Sequence, residues 1–366
     1  MSLQWVEGFE VRRQADFYAD LYDEAPTGLI SSSFQAGRLH GYAFDGSSNL
    51  HTWLTRSLEA HATWIIGIAA QINSPNDALD AVFIGVQDDS TPQLSLYIKE
   101  DGSSDDYYFE LWRGDNSTGT LLDTSAVQDG ADGYNYWELK VTIANTGGTW
   151  ELRRNGVVVM SGIGDTQNTG NATGNKIRFS SQRETSAVIG TPRFDLDDIY
   201  INNGSGTFNN DFLGDQVVEG ILPNAAGDST DFVAEDLGSP SGNPNWQEVD
   251  DDPESAGGPD DDDGYVTADV AGDKDLYNFQ NLSFVTGDIN GVMIVNRVRL
   301  EASGLRVLKN VFKDPVSGEA DAGSPFNVNK ATWDDYPVIV ERNPATSGLF
   351  SVSQIDGGQW GFEIVS

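Results

Sequence analysis

The sequence predicts an all-β chain built as two sandwich-like domains, and three observations carry that prediction. Short runs of alternating or continuous apolar residues recur along the 366 residues, separated by turn pairs such as Asp101-Gly102, Asp115-Asn116 and Gly147-Gly148. Asn155-Gly156 lies between two strand-like runs, which is a strong signal for a tight hairpin because both residues tolerate positive φ. No long amphipathic helix and no sustained internal repeat interrupts this grammar.

In chain order, Trp5 to Glu10 reads as an N-terminal strand, and Asp16 to Asp23 as a short helix or irregular segment. Phe34 to Phe44 reads as turn, strand and turn. Strands are expected at 50–54 and 64–72, the latter almost continuously apolar and therefore buried on both faces. Further strands are expected at 81–86, 94–99, 107–112, 137–143, 150–154, 157–160, 176–180 and 194–201. In the last of these, Leu196, Ile199 and Ile201 carry the apolar side, and the odd step from Leu196 to Ile199 calls for a small bulge.

The cluster Asn202-Asn203-Gly204-Ser205-Gly206 stops that strand, and a β-like run is expected from Asp211 to Leu222. The seam at 202–210 sets the expected boundary, with a first domain at 1–206 and a smaller β-sandwich at 207–366. A long acidic, Pro- and Gly-rich loop at about 238–264 sits inside the second, with Trp246 as its anchor. Strands resume at 264–268, and the final one, 360–364, ties the C-terminus into a sheet.

Composition narrows the function. There is no Cys, which removes disulfides, zinc–thiolate sites and thiol nucleophiles. The formal charge of −36 repels phosphates and anionic membranes, so neither a nucleic acid nor membrane insertion is expected. The N-terminal MSLQWVEGFEVRR lacks the basic-then-apolar pattern of a secretory signal, and no window is apolar enough to span a bilayer.

Several passages together resemble a known pattern. GRLHGYAFDGSSN, YWELKVTIANTGGTWELRRNGVVV and FDLDDIYINNGSG are similar to the laminin-G-like, concanavalin-like jelly roll, with its Trp-led strand, Asn-Gly hairpin and closing Asp-Asp-Ile strand. WVEGFE with a following Gly-Arg-Leu turn, and later FLGDQVVEGILPNAAGDSTDF, NPNWQEVDDDP and ERNPATSGLFSVSQIDGGQWGFEIV, resemble virion structural proteins of tailed bacteriophages. The resemblance implies a jelly roll followed by a smaller sandwich, located on a virion assembled in the host cytoplasm, as a head decoration or appendage subunit. It implies homo-oligomers and capsid or tail proteins as partners. The alternative is a carbohydrate-binding, host-recognition adhesin with surface glycans as ligands.

Candidate chemistry is sparse. His40, His51 and His61 are the three possible bases, without a Gly-x-Ser-x-Gly elbow or a His-Glu-x-x-His helix beside them. Asp195, Asp197 and Asp198 lack a following Glu to complete the alternating carboxylates of the glucanase-type strand. The expectation is therefore a protein without catalytic residues and not an enzyme. Calcium is the one cofactor considered: Asp197 and Asp198 at the strand end that the resemblance places near a cation, and Asp260 and Asp262 in the acidic run. The competing reading, and the one expected for each cluster, is that no metal is bound: Asp198 turns outward and one neighbour caps a turn through its backbone. Trp53, Trp64, Trp112, Trp137 and Trp150 are expected mostly in the core. Tyr107 and Tyr108 are adjacent in a strand and must point to opposite faces, so one of them is the candidate for stacking on a sugar or, equally, for a place in a subunit interface.

Overall fold

A computed structural model describes residues 1–10, 21–23, 34–45, 53–73, 80–102, 106–130, 133–180, 193–251, 261–301 and 304–366. Of the segment at 16–23, expected as a short helix or irregular, residues 16–20 fall outside the described residues, as do His51 and Asp260. The chain divides into two compact units, Met1–Val218 and Glu219–Ser366.

The first unit is a sandwich of two antiparallel sheets. Its strands are β1 (Leu3–Glu7), β2 (Phe34–Ala36), β3 (Tyr42–Asp45), β4 (Trp53–His61), β5 (Thr63–Asn73), β6 (Asp80–Asp88) and β7 (Thr91–Glu100). They continue as β8 (Tyr107–Arg113), β9 (Thr120–Thr124), β10 (Tyr134–Thr142), β11 (Gly148–Arg154), β12 (Val157–Gly164), β13 (Gly174–Ser180) and β14 (Arg193–Asn203). The larger sheet has the order β12-β11-β10-β5-β14-β3-β2, with β1 also paired to β14; the smaller has the order β4-β13-β6-β7-β8-β9.

The alternation in the sequence decides what fills the space between the sheets. Tyr107, Phe109 and Leu111 of β8 point inward, and Trp137 of β10 meets Phe109 edge-on at 4.8 Å from the opposite sheet. Trp5, Trp64, Tyr107 and Phe83 are among the large side chains fully buried here. Each such burial contributes roughly 1.5–3 kcal/mol, so the aromatic content goes directly into holding the two sheets together.

The expected hairpin forms at Asn155-Gly156, where φ is +49° and +78°, joining β11 to β12. The expected bulge in β14 is present as well. Its register against β5 shifts between Asp197 and Tyr200, and Asp198 takes φ +49°. β5 is buried along 64–70, as its continuous apolar run requires.

Residues 207–218 differ from expectation. The stretch from Asp211 to Leu222 forms no strand: its apolar residues come in adjacent pairs, Phe212-Leu213, Val217-Val218 and Ile221-Leu222, and not in the alternation of a half-buried strand. Residues 211–218 instead lie across the outer face of the larger sheet within the first unit.

The second unit is also all β. A six-stranded sheet is built around Lys274–Phe279, Gln359–Ile364 and Arg306–Asp314. The ribbon of Val292–Val298 and Asp334–Val340 supplies Val292, Ile294, Val338 and Val340 to a cluster with Phe312, Phe350 and Trp360 of its core. Asn296 and Asn310 exchange two side-chain hydrogen bonds, 3.1 and 2.7 Å, in that interior and fix the register between ribbon and sheet. The last strand pairs on both sides, as expected from the sequence.

Candidate functional site

Two outer faces of the first unit carry polar and aromatic side chains, and they are used differently. On the larger sheet, Tyr136, Glu138, Lys140 and Tyr200 point outward, and Gly67 beneath them is required: a Cβ there would lie 2.0 Å from the Tyr200 ring. This face is closed by the chain itself. Leu213 N donates to Tyr200 Oη at 3.1 Å, and Gly214 N donates to Glu138 Oε1 at 2.8 Å. Val218 N donates to Asp198 Oδ1 at 2.7 Å. Arg38 ties the end down, reaching Asp215 Oδ1 at 2.6 Å, the Gln216 carbonyl at 2.8 Å and Asp198 Oδ2 at 2.9 Å. Phe212 lies under the Arg153 guanidinium, 3.8 Å from its ring centroid, and Lys140 pairs with Asp211 at 2.9 Å.

Asp197 and Asp198 therefore act in packing. Asp197 accepts from the amides of Arg38 and Asp198, both at 2.8 Å. Burial and the Asp198 charge push Asp197 up to about 8. Burial also raises Asp198, against the opposing pull of Val218 N–H and Arg38. The reading that Asp198 turns outward is corrected: its left-handed φ at the bulge turns the carboxylate under the covering segment, and its residue is buried. His40 Nδ1 lies 3.3 Å from Glu10 Oε1 beside this cluster, and His61 Nε2 meets Asn203 Nδ2 at 2.9 Å. Among the described residues, no group of three or more His, Asp or Glu is arranged to hold a metal ion. In the second unit Asp262 pairs with Arg299 and accepts from Trp333 Nε1 at 3.2 Å.

The face of the smaller sheet has a different character. The β6–β9 meander is set by turns at Asp89, with φ +54°, and at Asp115, whose Oδ1 accepts from the amides of Ser117 and Thr118, both at 2.8 Å. The side-chain hydrogen bond from Ser117, with these amides, holds the Asp115 carboxyl below its ordinary value. Because Tyr107, Phe109 and Leu111 point inward, Tyr108, Glu110 and Trp112 stand on the outside. Tyr107 is thus a core residue, buried against Phe109 and Trp137, and is excluded as a sugar contact. Tyr108 remains on the half-buried outer side.

Register places a row across four strands: Arg178 of β13, Gly85 of β6, Ser95 of β7 and Trp112 of β8. Gly85 and Ser95 form a buried floor, with half-buried Arg178 and Trp112 on either side. At ~4.8 Å per strand spacing, the two flanking positions stand about 14 Å apart along the sheet. In the next row Tyr97 pairs with Glu110, and in the one after it Lys99 pairs with Tyr108. Glu110 orients its neighbours, accepting from Trp112 Nε1 at 3.0 Å and facing Lys99 Nζ at 3.6 Å. Lys176 lies on the same side of β13 as Arg178. The arrangement offers an indole, a phenol ring and three cations on one side of one sheet. Aromatic faces of this kind hold the apolar side of a sugar ring, while the cations hold carboxylates and Glu110 accepts from hydroxyls.

Sequence reasoning reached Tyr108 and missed Trp112, Lys99 and Arg178. Trp112 was assigned to the core with the other indoles, although its two-residue spacing from Tyr108 already put both on one side.

Neither a protein-family model nor any curated protein matches the sequence. Solved structures resemble the fold. Alginate lyase Aly36B is 10% identical, with 56% of this chain and 96% of that one covered, at a TM-score of 0.37. The endo-beta-1,4-glucuronan lyase of the fungus Trichoderma reesei is 9% identical, covering 54% and 94%, at 0.36. The CBM2 module of the evolved Dit of Lactobacillus casei BL23 phage J-1 is 13% identical, covering 54% and 89%, at 0.31. The presence of two polysaccharide lyases in this group overturns the expectation that the chain is not an enzyme, and that expectation is withdrawn. What chemistry this chain performs rests on its own residues.

Proposed function

We propose that the first unit holds a polysaccharide or oligosaccharide across the outer face of the β4–β9 sheet. The observation that carries this reading is the row Arg178–Gly85–Ser95–Trp112, a floor of small residues between a cation and an indole, adjoined by Tyr108 and Lys99. In a chain of net charge −36, the gathering of Lys99, Lys176 and Arg178 on one side favours sugars bearing carboxylates, whose approach the rest of the surface opposes. The wider setting of the proposal is a tailed-phage virion, with the protein as a surface subunit recognising host glycans; the ordered resemblance of passages along the sequence supports it.

Calorimetric titration of the full chain with neutral and uronate-bearing oligosaccharides tests the site. Trp112→Ala should weaken binding about tenfold or more, the equivalent of the ~1.4 kcal/mol that one aromatic contact contributes. Unchanged affinity in that variant, or no binding by any oligosaccharide, overturns the reading. Following reducing ends and unsaturated products in the same samples separates holding from cleavage. Mass spectrometry of purified particles tests the virion setting, and absence of the chain from them removes it.

A further inference from the structure

Edge strands of sheets expose unpaired backbone N–H and C=O groups, and proteins normally guard them with charge, proline, shortness or bulges. In the first unit, β4 carries Arg56 and Glu59, β9 carries Asp123, and β2 has three residues. β12, VVVMSGIG, is an edge of eight residues with no charge and no proline, in a chain with 57 acidic residues. Its one interruption is the unpaired Val159, where the register against β11 shifts. Val158 and Ile163 pair with Arg153 and Thr149 and share the outer side; they are 49% and 76% exposed. Val157 at the strand's start is 67% exposed.

We propose that β12 is a self-association edge, pairing antiparallel with β12 of a second copy of this chain. Two arguments select a second copy as occupant. Each copy carries −36, so copies tolerate contact only where no carboxylate faces another, and β12 is such a place. The strand is also complementary to itself: counted past the bulged Val159, an antiparallel pair centred on Ser161 sets Val158 of one copy opposite Ile163 of the other. The pairing is independent of the sugar-binding reading, since it uses the edge of the larger sheet and not the face of the smaller.

Sedimentation of the full chain over a concentration series at low and high salt provides the test. The native chain should form dimers that strengthen with salt, because screening removes repulsion and the contact itself is uncharged. Ile163→Lys and Val158→Lys should each weaken the dimer more than tenfold while the circular dichroism spectrum stays native, both side chains being exposed. Val316→Lys, at a 91% exposed position of the second unit, should leave it unchanged. A native chain that is monomeric at about 0.1 mM in high salt, corresponding to association weaker than ~5.5 kcal/mol, overturns the proposal. A dimer indifferent to both lysines overturns it equally.

Discussion

The two outer faces of the first sandwich start from similar material and end in opposite states. Both carry tyrosines, basic residues and a glutamate that organises them: Glu138 on the larger sheet, Glu110 on the smaller. On the larger sheet the glutamate accepts from the Gly214 amide and from the Tyr200 hydroxyl, which in turn accepts from the Leu213 amide. On the smaller sheet, among the described residues, its partners are Trp112 and Lys99 of the face itself, and Trp112 and Tyr108 stay half-buried at the surface. A face whose hydrogen bonds go to its own chain becomes part of the core. One whose polar groups only brace each other stays able to receive a ligand.

The largest expected effect comes from removing the cover. A first unit ending at residue 206 loses the bonds to Glu138, Tyr200, Asp198 and Arg38, whereas one ending at 218 keeps them. Hydrogen bonds to charged groups contribute ~1.5–3 kcal/mol each, so the shorter fragment should be less stable by about 5 kcal/mol in urea titration. Equal midpoints for the two fragments would mean the cover is decoration, and the contrast between the faces would collapse.

Next is a matched pair of glycines. Gly67→Ala places a Cβ 2.0 Å from Tyr200 and should cost roughly 1–3 kcal/mol by overpacking. Gly85→Ala meets its nearest atom at 3.5 Å and should cost less than ~1 kcal/mol, while its methyl group rises into the proposed sugar floor and weakens binding. Thermal melts of both variants, with titration of the second, check this.

A separate effect is expected with pH. Burial first, and then Asp197, push Glu10 from its ordinary 4.5 up to about 10, and Asp197 itself is raised to about 8. The folded chain therefore keeps protons that the unfolded chain releases above ~pH 4. The contribution is full below that pH and is lost as pH rises toward 10. The melting temperature should fall between pH 5 and pH 9, and Glu10→Gln should flatten that slope. A slope unchanged in the variant would assign the pH dependence elsewhere.

Much of the architecture was legible because it depends on near neighbours. Asn155-Gly156 carries its own turn, the odd step from Leu196 to Ile199 carries its own bulge, and the unbroken run of β5 announces burial on two sides. The covering segment was not legible, because 211–218 makes its bonds with Arg38, Glu138 and Asp198, far away in the chain. The same distance hid the candidate site. Trp112 and Arg178 come together only through the register of three intervening pairings, and nothing in either local sequence records that. Asp197 and Asp198 stood out as acidic neighbours, but their meaning depended on Arg38, far away in the chain, whose backbone amide donates to Asp197 and whose guanidinium pairs with Asp198.

The covering segment also sets how the first unit responds to mechanical load. Tension transmitted through residue 219 reaches the Val218–Asp198 bond first, then the Arg38 contacts at 215 and 216, then Gly214 on Glu138 and Phe212 beneath Arg153. These attachments break one after another, as in peeling, and not together as in the shearing of paired strands. The segment would extend at modest force while the sandwich beneath it holds, giving about 8 residues of slack, up to ~28 Å, before the strands of the sheet carry any pull. A pulled chain would show that length as a separate early step, preceding the unfolding of the sandwich.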